Sequence, residues 1–463
     1  RVDDAEATLV VTCDGSYRRG KASALKPAVD QALKEPGHTV DHVLVVRRNG
    51  IETEMADGRD VWWHDVVDTA SDEHEIVWHE AEHPLFILYT SGTTGKPKGI
   101  LHTTGGYLVQ ASATHRDTFD LHPETDVFWC TADVGWVTGH SYVAYGPLVN
   151  GATQVIYEGT PDTPHQGRWW EIVQKYGVTI FYTAPTAIRT CMKWGRQIPD
   201  EYDLSSLRVL GTVGEAINPE AWRWFHEVIG GERCPIVDTW WQTETGAHML
   251  TPLPGVTALK PGSAQRPVPG VDLQVVDETG APMEGTGAGF LVAREPWPSM
   301  LRGIWGDPQR FKETYWSRFP GMYFAGDGAR YDEDGDIWLL GRVDDVMNVS
   351  GHRLSTTEIE SSLVAHEAVA EAAVVGAADD TTGEAVYAFV LLTEEAAAKD
   401  PDTAEMEEQL RLHVGQDIGP IAKPKRVLVV PELPKTRSGK IMRRLLKDCL
   451  LYTSDAADDL LCV

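Results

Sequence analysis

The sequence predicts an α/β protein in which a large multi-layer domain with a β-rich subdomain precedes a small α+β C-terminal domain. Three observations lead there. From Asp41 to Leu340, apolar β-branched runs alternate with helical stretches, the pattern of α/β layers. Between Val271 and Trp338 the Gly and Pro density rises and the strand-like runs shorten. After Gly341 the pattern changes once more, into a unit of about a hundred residues, an ordinary domain size. The expected division is residues 1–343, 344–449 and a tail, 450–463.

The elements follow in order. Pro84-Leu85-Phe86-Ile87-Leu88 reads as a buried strand. Thr153–Tyr157, Val178–Tyr182, Leu207–Gly211 and Pro235–Asp238 read as further strands, with helices at Trp169–Tyr176 and Pro219–Ile229 between them. In the small unit Ser355–His366 reads as a helix with Thr356 or Thr357 near its start. Ala370–Gly376 and Ala385–Leu392 read as strands, Glu405–His413 as a helix, and Ala396–Thr403 as a polar, exposed connection. The last residues, Leu451–Val463, break the style of the rest. They read as a cloning or assembly scar, with a genuine acidic tail as the competing view.

Composition removes several classes. The chain has 463 residues and a net charge of −28, from 69 acidic against 41 basic residues. Such a surface repels nucleic acid and anionic membranes. No apolar run nears the roughly 20 residues that cross a bilayer. Arg1-Val2-Asp3-Asp4-Ala5-Glu6 is not a signal peptide. The six cysteines are scattered without paired spacing, which argues against zinc or disulfides and fits a reducing cytoplasm. Only 15 of the basic residues are lysines. The acidic balance suits a salt-adapted source, since molar salt shrinks the Debye length to about 3 Å and removes self-repulsion.

Five patches carry chemistry. Tyr89-Thr90-Ser91-Gly92-Thr93-Thr94-Gly95-Lys96-Pro97-Lys98-Gly99 follows a strand and crowds glycines, hydroxyls and lysines into one turn. Glycines let backbone N–H groups approach an anion, so the loop suits a polyphosphate. It is not a Walker A loop, because Pro97 stands where a Ser or Thr should hold magnesium. Trp240-Trp241-Gln242-Thr243-Glu244 combines a carboxylate and a hydroxyl fit for a magnesium–phosphate unit with an indole that walls a small pocket. Gly326-Asp327-Gly328 frames a carboxylate that can accept from vicinal ribose hydroxyls. Gly341-Arg342-Val343-Asp344-Asp345 sits at the compositional boundary and can hinge. Pro434-Lys435-Thr436-Arg437-Ser438-Gly439-Lys440 concentrates positive charge in an acidic protein, as if to neutralise an anion.

These patches, with Trp129–His140, Gly214-Glu215-Ala216-Ile217-Asn218 and Gly341–Glu358, resemble in order the acyl-adenylate-forming superfamily, most closely the AMP-forming acetyl-coenzyme A synthetases. The resemblance spans roughly residues 10 to 448. It implies an adenylate-forming large domain and a mobile C-terminal lid. It also implies a cytoplasmic acid–thiol ligase using ATP, Mg2+ and coenzyme A. Acetate attacks the α-phosphorus of ATP, pyrophosphate leaves, and the thiol of coenzyme A then displaces AMP.

The same resemblance assigns roles. Lys440 contacts the carboxylate and α-phosphate as the catalytic residue. Thr93, Thr94, Gly95 and Lys96 cradle the β- and γ-phosphates, and Gly214, Glu215 and Ala216 lie along the adenine. Asp238, Thr239, Trp240, Trp241, Gln242, Thr243 and Glu244 complete the nucleotide site, with Thr243 and Glu244 near magnesium. Asp327 and Arg342 hold the ribose, and Arg353 a phosphate. The acyl pocket falls on Val137, Thr138, Val213 and Trp241, and the indole leaves room for little beyond a methyl group. Coenzyme A contacts fall on Arg18, Lys21, Thr138, Ser350 and Gly351, and the hinge on Asp344. A cation site built partly of carbonyls falls on Val364, His366 and Val369. Acetylation of Lys440 by an acetyltransferase, reversed by a deacetylase, would remove its charge.

Two departures from the family pattern stand out. A basic coenzyme A contact of the small domain aligns with Gly415 here, and the chain begins well inside the family pattern. Three other readings compete: a ligase preferring propionate, which the same pocket admits slowly, or medium-chain or aromatic acids, which need a smaller residue than Trp241; a luciferase-like oxidase; and a fragment that binds nucleotide without turnover.

Overall fold

The structure, a computed structural model, describes residues 1–34, 37–90, 97–343, 347–349, 352–379, 383–399, 401–435 and 441–453. At its centre lies a five-stranded parallel sheet ordered Ile236–Asp238, Val209–Thr212, Ile180–Thr183, Val127–Cys130, Thr153–Gln154. The inner strands are apolar at nearly every position because both faces are covered. Trp129, Phe181, Leu210 and Ile236 pack on one side with the helices Arg168–Tyr176 and Pro219–Trp224. Phe128, Ile180, Tyr182, Val209 and Val237 pack on the other, with Phe119 and Tyr142. The expected strand Thr153–Tyr157 is paired only over Thr153–Gln154. It lies at the sheet edge, where one neighbour, not two, holds the chain. The expected helix Pro219–Ile229 forms, but widens to a π-helix over Phe225–Ile229.

Pro84–Thr90 pairs antiparallel with Lys98–Thr103, which also takes Gly303–Ile304. Pro84–Leu88 is therefore a half-exposed edge strand and not the buried strand expected. The β-rich subdomain is a four-stranded antiparallel sheet, Leu273–Val276, Ala288–Ala293, Tyr323–Tyr331, Ile337–Arg342. The Gly-Asp-Gly turn expected at Gly326–Gly328 is instead the interior of the third strand. Gly326 has φ +79 and the register shifts beyond Gly328, so a local kink in the strand, and no chain reversal, aims the Asp327 carboxylate.

The small unit is built on Val369–Asp379 paired with Gly383–Leu392, joined by Met347–Val349, His352–Leu354 and Arg426–Val429. Helices Thr356–Ala365 and Thr403–Asp417 cover it. Ser355 caps the first of these, accepting from the Glu358 N–H at 3.3 Å. Its hydroxyl also donates to the Leu340 carbonyl at 2.7 Å, tying the two units. Part of the expected connection Ala396–Thr403 is helical: Thr393 caps a turn over Glu394–Ala398.

A separate parallel sheet, Leu9–Cys13, His42–Val46 and Asp60–Trp62, stands near the start of the chain with the hairpin Gly15–Arg18/Lys21–Ala24. Asp14 joins them. Its buried carboxylate accepts from the backbone N–H groups of Gly15, Arg48, Asn49 and Gly50 at 2.7, 2.7, 3.2 and 2.8 Å. Burial alone raises its pKa, but the four donors outweigh burial and hold it below the usual carboxylate range. Asp14→Ala is expected to destabilise the protein by about 2–4 kcal/mol, since each buried donor left unpaired costs roughly 1–3 kcal/mol. Urea unfolding followed by circular dichroism checks this. The depressed pKa gives the sign in acid: this contribution is present above about pH 4 and fades as pH falls below it.

Among the described residues no helix is long and apolar enough to cross a membrane.

Candidate active site

In open α/β sheets ligands sit outside the carboxyl ends of the strands. Here three neighbouring strands end in register, with Thr183 opposite Thr212 and Thr212 opposite Asp238. The chain leaving each is stitched to its neighbour: Val213 N–H donates to the Thr183 carbonyl at 3.1 Å and Thr239 N–H to the Thr212 carbonyl at 3.0 Å. This brings Val213-Gly214-Glu215-Ala216 beside Asp238–Trp241, two runs far apart in sequence. Gly214 has φ +98, in the left-handed region. Glu215 pairs with Arg189 at 2.8 Å and bonds Thr186, both on the helix Pro185–Trp194. Burial alone raises the Glu215 carboxyl, yet Arg189 and Thr186 leave it below its ordinary value.

The Asp238–Glu244 run divides by direction. Asp238 and Thr239 face inward: Thr212 Oγ1 donates to Asp238 Oδ1 at 2.8 Å, and Thr239 Oγ1 donates to the Thr212 carbonyl at 2.7 Å. Complete burial with one hydrogen bond raises the Asp238 carboxyl to about 7. The pKa is above the unfolded value of about 4, so the stabilisation is fully present below that value. It is lost as pH rises towards 7 and stays level beyond. This group is expected to lower thermal midpoints from pH 4.5 to about 7 and to have no further effect up to pH 8, and Asp238→Asn is expected to remove this component of the fall.

Gln242 and Glu244 reach outward to other elements. Gln242 Nε2 donates to Asp327 Oδ2 at 2.5 Å. Arg342 lies across the strand pair from Asp327, with Nη1 3.6 Å from Oδ1. A Cβ at Gly326 would stand 2.7 Å from the end of the Arg342 side chain, which can shift, so it is the φ of +79 that favours glycine here. Glu244 Oε1 accepts from the Tyr315 hydroxyl at 2.6 Å and from Lys98 Nζ at 3.3 Å. Lys98 Nζ also donates to the Tyr315 oxygen at 2.9 Å. Burial raises the Glu244 carboxyl, but the Lys98 charge and the Tyr315 bond outweigh it, and the group stays ionised below its ordinary value. His102 Nε2 lies 2.7 Å from the Thr243 carbonyl and fixes the intervening turn to the strand Lys98–Thr103. One ionised carboxylate beside Lys98, near the end of the glycine- and hydroxyl-rich run, suits magnesium, which is usually held by one or two carboxylates, water and substrate phosphates.

Trp241 and Val213 pack in one apolar cluster with Tyr142. Val137 and Thr138 open the short helix that continues into the π-helical turn His140–Tyr145. Arg18 and Lys21 face each other across their hairpin, exposed. Val364 and His366 close the helix Thr356–Ala365, and Val369 opens the next strand. His366 Nδ1 there accepts from the Ala368 N–H at 3.2 Å. That trio would offer two backbone carbonyl oxygens, a ligand type that suits a hard cation, beside one imidazole. The three carboxylates Asp332, Asp334 and Asp336 gather closely, but the Lys260 ammonium already contacts them at 2.6, 2.8 and 2.6 Å. Thr93, Thr94, Gly95, Lys96, Asp344, Ser350, Gly351 and Lys440, and the side chain of Arg353, lie outside the described residues.

Sequence reasoning missed Lys98 and Tyr315 as partners of Glu244. Lys98 closes the phosphate-type run and carried a signal, whereas Tyr315 lies 71 residues from Glu244 and carried none. Lys423 carries its methylenes 3.5 Å from where a Cβ on Gly415 would stand, and its ammonium pairs with Glu408 at 3.0 Å.

A family model described as "AMP-binding enzyme" matches residues 1–305, and one described as "AMP-binding enzyme C-terminal domain" matches 358–440. The chain belongs to the AMP-binding enzyme family. This AMP-binding enzyme is 70% identical over 448 residues to the acetyl-coenzyme A synthetase of Streptomyces avermitilis, covering 97% of the chain and 68% of that protein. It is 69% identical to that of Streptomyces coelicolor, with the same coverage. It is 64% identical to that of Mycolicibacterium smegmatis, covering 97% of the chain and 48% of that protein. Among solved structures it matches an anthranilate CoA ligase, AuaEII, in complex with anthranoyl-AMP. The TM-score is 0.83 at 25% identity, over 98% of this chain and 80% of that one. The adenylate-forming α/β architecture is thus shared.

Proposed function

We propose that this chain is an AMP-forming acetate–CoA ligase, converting ATP, acetate and coenzyme A to acetyl-CoA, AMP and diphosphate through acetyl-adenylate. The observation that carries the reading is 70% identity to an acetyl-coenzyme A synthetase over 97% of the chain. ATP with Mg2+ and coenzyme A are the co-substrates. Acetate-dependent exchange of pyrophosphate into ATP, followed by thioester formation on adding coenzyme A, is the test. Exchange with no acid dependence would overturn it.

The residues divide the work. Asp327, oriented by Gln242 and Arg342, is the ribose acceptor, with Gly214, Glu215 and Ala216 beside the base. Glu244, kept ionised by Lys98, is the carboxylate towards the phosphate-bound magnesium, which would neutralise charge on the pyrophosphate as it leaves. Lys440 stabilises charge at the reacting carboxylate and α-phosphate, and Asp344 is the hinge that later withdraws it. Ser350, Gly351, Arg18 and Lys21 then serve coenzyme A, with Lys423 near the position where Gly415 lacks a side chain. The large unit is 1–343 and the lid 344–449, in a cytoplasmic enzyme whose Lys440 is a target for reversible acetylation.

Acid size is set by Val137, Thr138, Val213 and above all Trp241. A hydrophobic pocket distinguishes one methylene by about 10–200-fold. Trp241→Gly is therefore expected to raise kcat/KM for butyrate relative to acetate by at least roughly that factor, measured by pyrophosphate exchange. Propionate is the slow second substrate of the unaltered enzyme.

A further inference from the structure

We propose that Tyr142 and His248 are positioning residues that hold the Trp241 indole in place and so set the acyl-length limit, an inference that rests on Trp241 closing the acyl pocket. The indole is supported by two rings from different elements. Its centroid lies 5.1 Å from that of Tyr142 at 89° and 5.7 Å from that of His248 at 73°, both edge-to-face. Tyr142 and His248 stack on each other at 4.0 Å and 22°. Both are completely buried. Tyr142 comes from the turn that follows Val137 and Thr138, so the same short element supplies side wall and backing.

A closed chain of hydrogen bonds locks these rings, and its donors can be assigned in order. Thr239 gives its only hydroxyl proton to the Thr212 carbonyl, so its oxygen accepts from the Tyr182 hydroxyl, 2.7 Å away. Tyr182 has then spent its proton and accepts from His248 Nε2–H at 2.9 Å. His248 Nδ1 is left with a lone pair, which accepts from Thr118 Oγ1 at 3.1 Å. The imidazole is held neutral in a single tautomer; burial pushes its pKa well down. Tyr142 is anchored likewise. Its oxygen accepts from the His248 backbone N–H at 2.9 Å and its proton goes to Thr114 Oγ1 at 2.8 Å, since Thr114 donates to the Gln110 carbonyl. Neither ring can turn without stranding a buried polar group. An indole pressed against such rings yields little to an extra methylene.

The test compares acetate with propionate in three variants, Tyr142→Phe, His248→Gln and Trp241→Gly. Tyr142→Phe keeps the ring and frees it. Tyr142→Phe and His248→Gln are each expected to raise the propionate-to-acetate ratio of kcat/KM by about tenfold. The change should fall on KM for the acid, with KM for ATP unmoved, a split that general loss of stability does not produce. An unchanged ratio in both, while Trp241→Gly shifts it, overturns the positioning role. No shift even in Trp241→Gly overturns the pocket assignment itself. If His248→Gln does not fold, Tyr142→Phe decides alone.

Discussion

Lys440→Ala is expected to lower acetyl-adenylate formation by about 10²–10³-fold, the scale for losing one preorganised group at a developing charge, while thioester formation from supplied acetyl-adenylate proceeds. The effect is electrostatic. Acetate and the α-phosphate are both anionic, and pentavalent phosphorus gathers further charge as pyrophosphate departs. The chain as a whole carries −28, so a local cation is needed. The structure fixes both ends of the segment that bears it. Lys435 and Ile441 form an antiparallel bridge, Met442 N–H donates to the Pro434 carbonyl at 2.9 Å, and Lys435 pairs with Glu371 at 2.7 Å. Just beyond, Arg443 pairs with the part-buried Glu360 at 2.8 Å. The ends of the loop are therefore held to the body of the small unit. Stopped-flow measurement of pyrophosphate release separates the two half-reactions, and equal loss in both would refute the assignment. Acetylation of Lys440 should reproduce the alanine effect by removing the charge.

Glu244→Gln is expected to lower adenylation at low Mg2+ by about a hundredfold or more, with partial recovery as Mg2+ is raised. It should also destabilise the fold. Lys98 and Glu244 keep only 15% and 12% of their side-chain surface. Breaking a buried pair costs about 3–5 kcal/mol, mostly because one charge is stranded. The partial exposure places the cost at the lower end of that range. Adding Lys98→Met to Glu244→Gln is therefore expected to restore much of the stability while leaving adenylation slow. A double-mutant cycle on unfolding free energy, run beside Mg2+ titrations of activity, checks both halves. If Glu244→Gln were as stable as the parent and needed no more Mg2+, Glu244 would be only a surface carboxylate.

Much of the candidate site is legible in sequence because its parts are local. Gln242-Thr243-Glu244 and Gly326-Asp327-Gly328 declare themselves by residue type within a few positions. The alternation of apolar runs likewise marks the parallel sheet, since strands buried on both faces must be apolar throughout. What failed was sensitive to position in the sheet. Pro84–Leu88 has the composition of an inner strand and lies at an edge, and Gly-Asp-Gly has the composition of a turn and lies inside a strand. Local composition does not encode how many neighbours a strand acquires.

The amino-acid order by itself determined the α/β class, the two-unit plan and which residue types stand together in each motif, from the glycine- and lysine-rich run to Gln242-Thr243-Glu244 and Gly326-Asp327-Gly328. Each depends on residue types within one segment, where backbone geometry and spacing suffice. Only the tertiary structure decided that Lys98 and Tyr315 keep Glu244 ionised, that Asp238 turns inward and protonates near neutrality, and that Tyr142 and His248 back the indole. Burial and pairing between distant segments set those properties, and both arise only when strands many residues apart come into register.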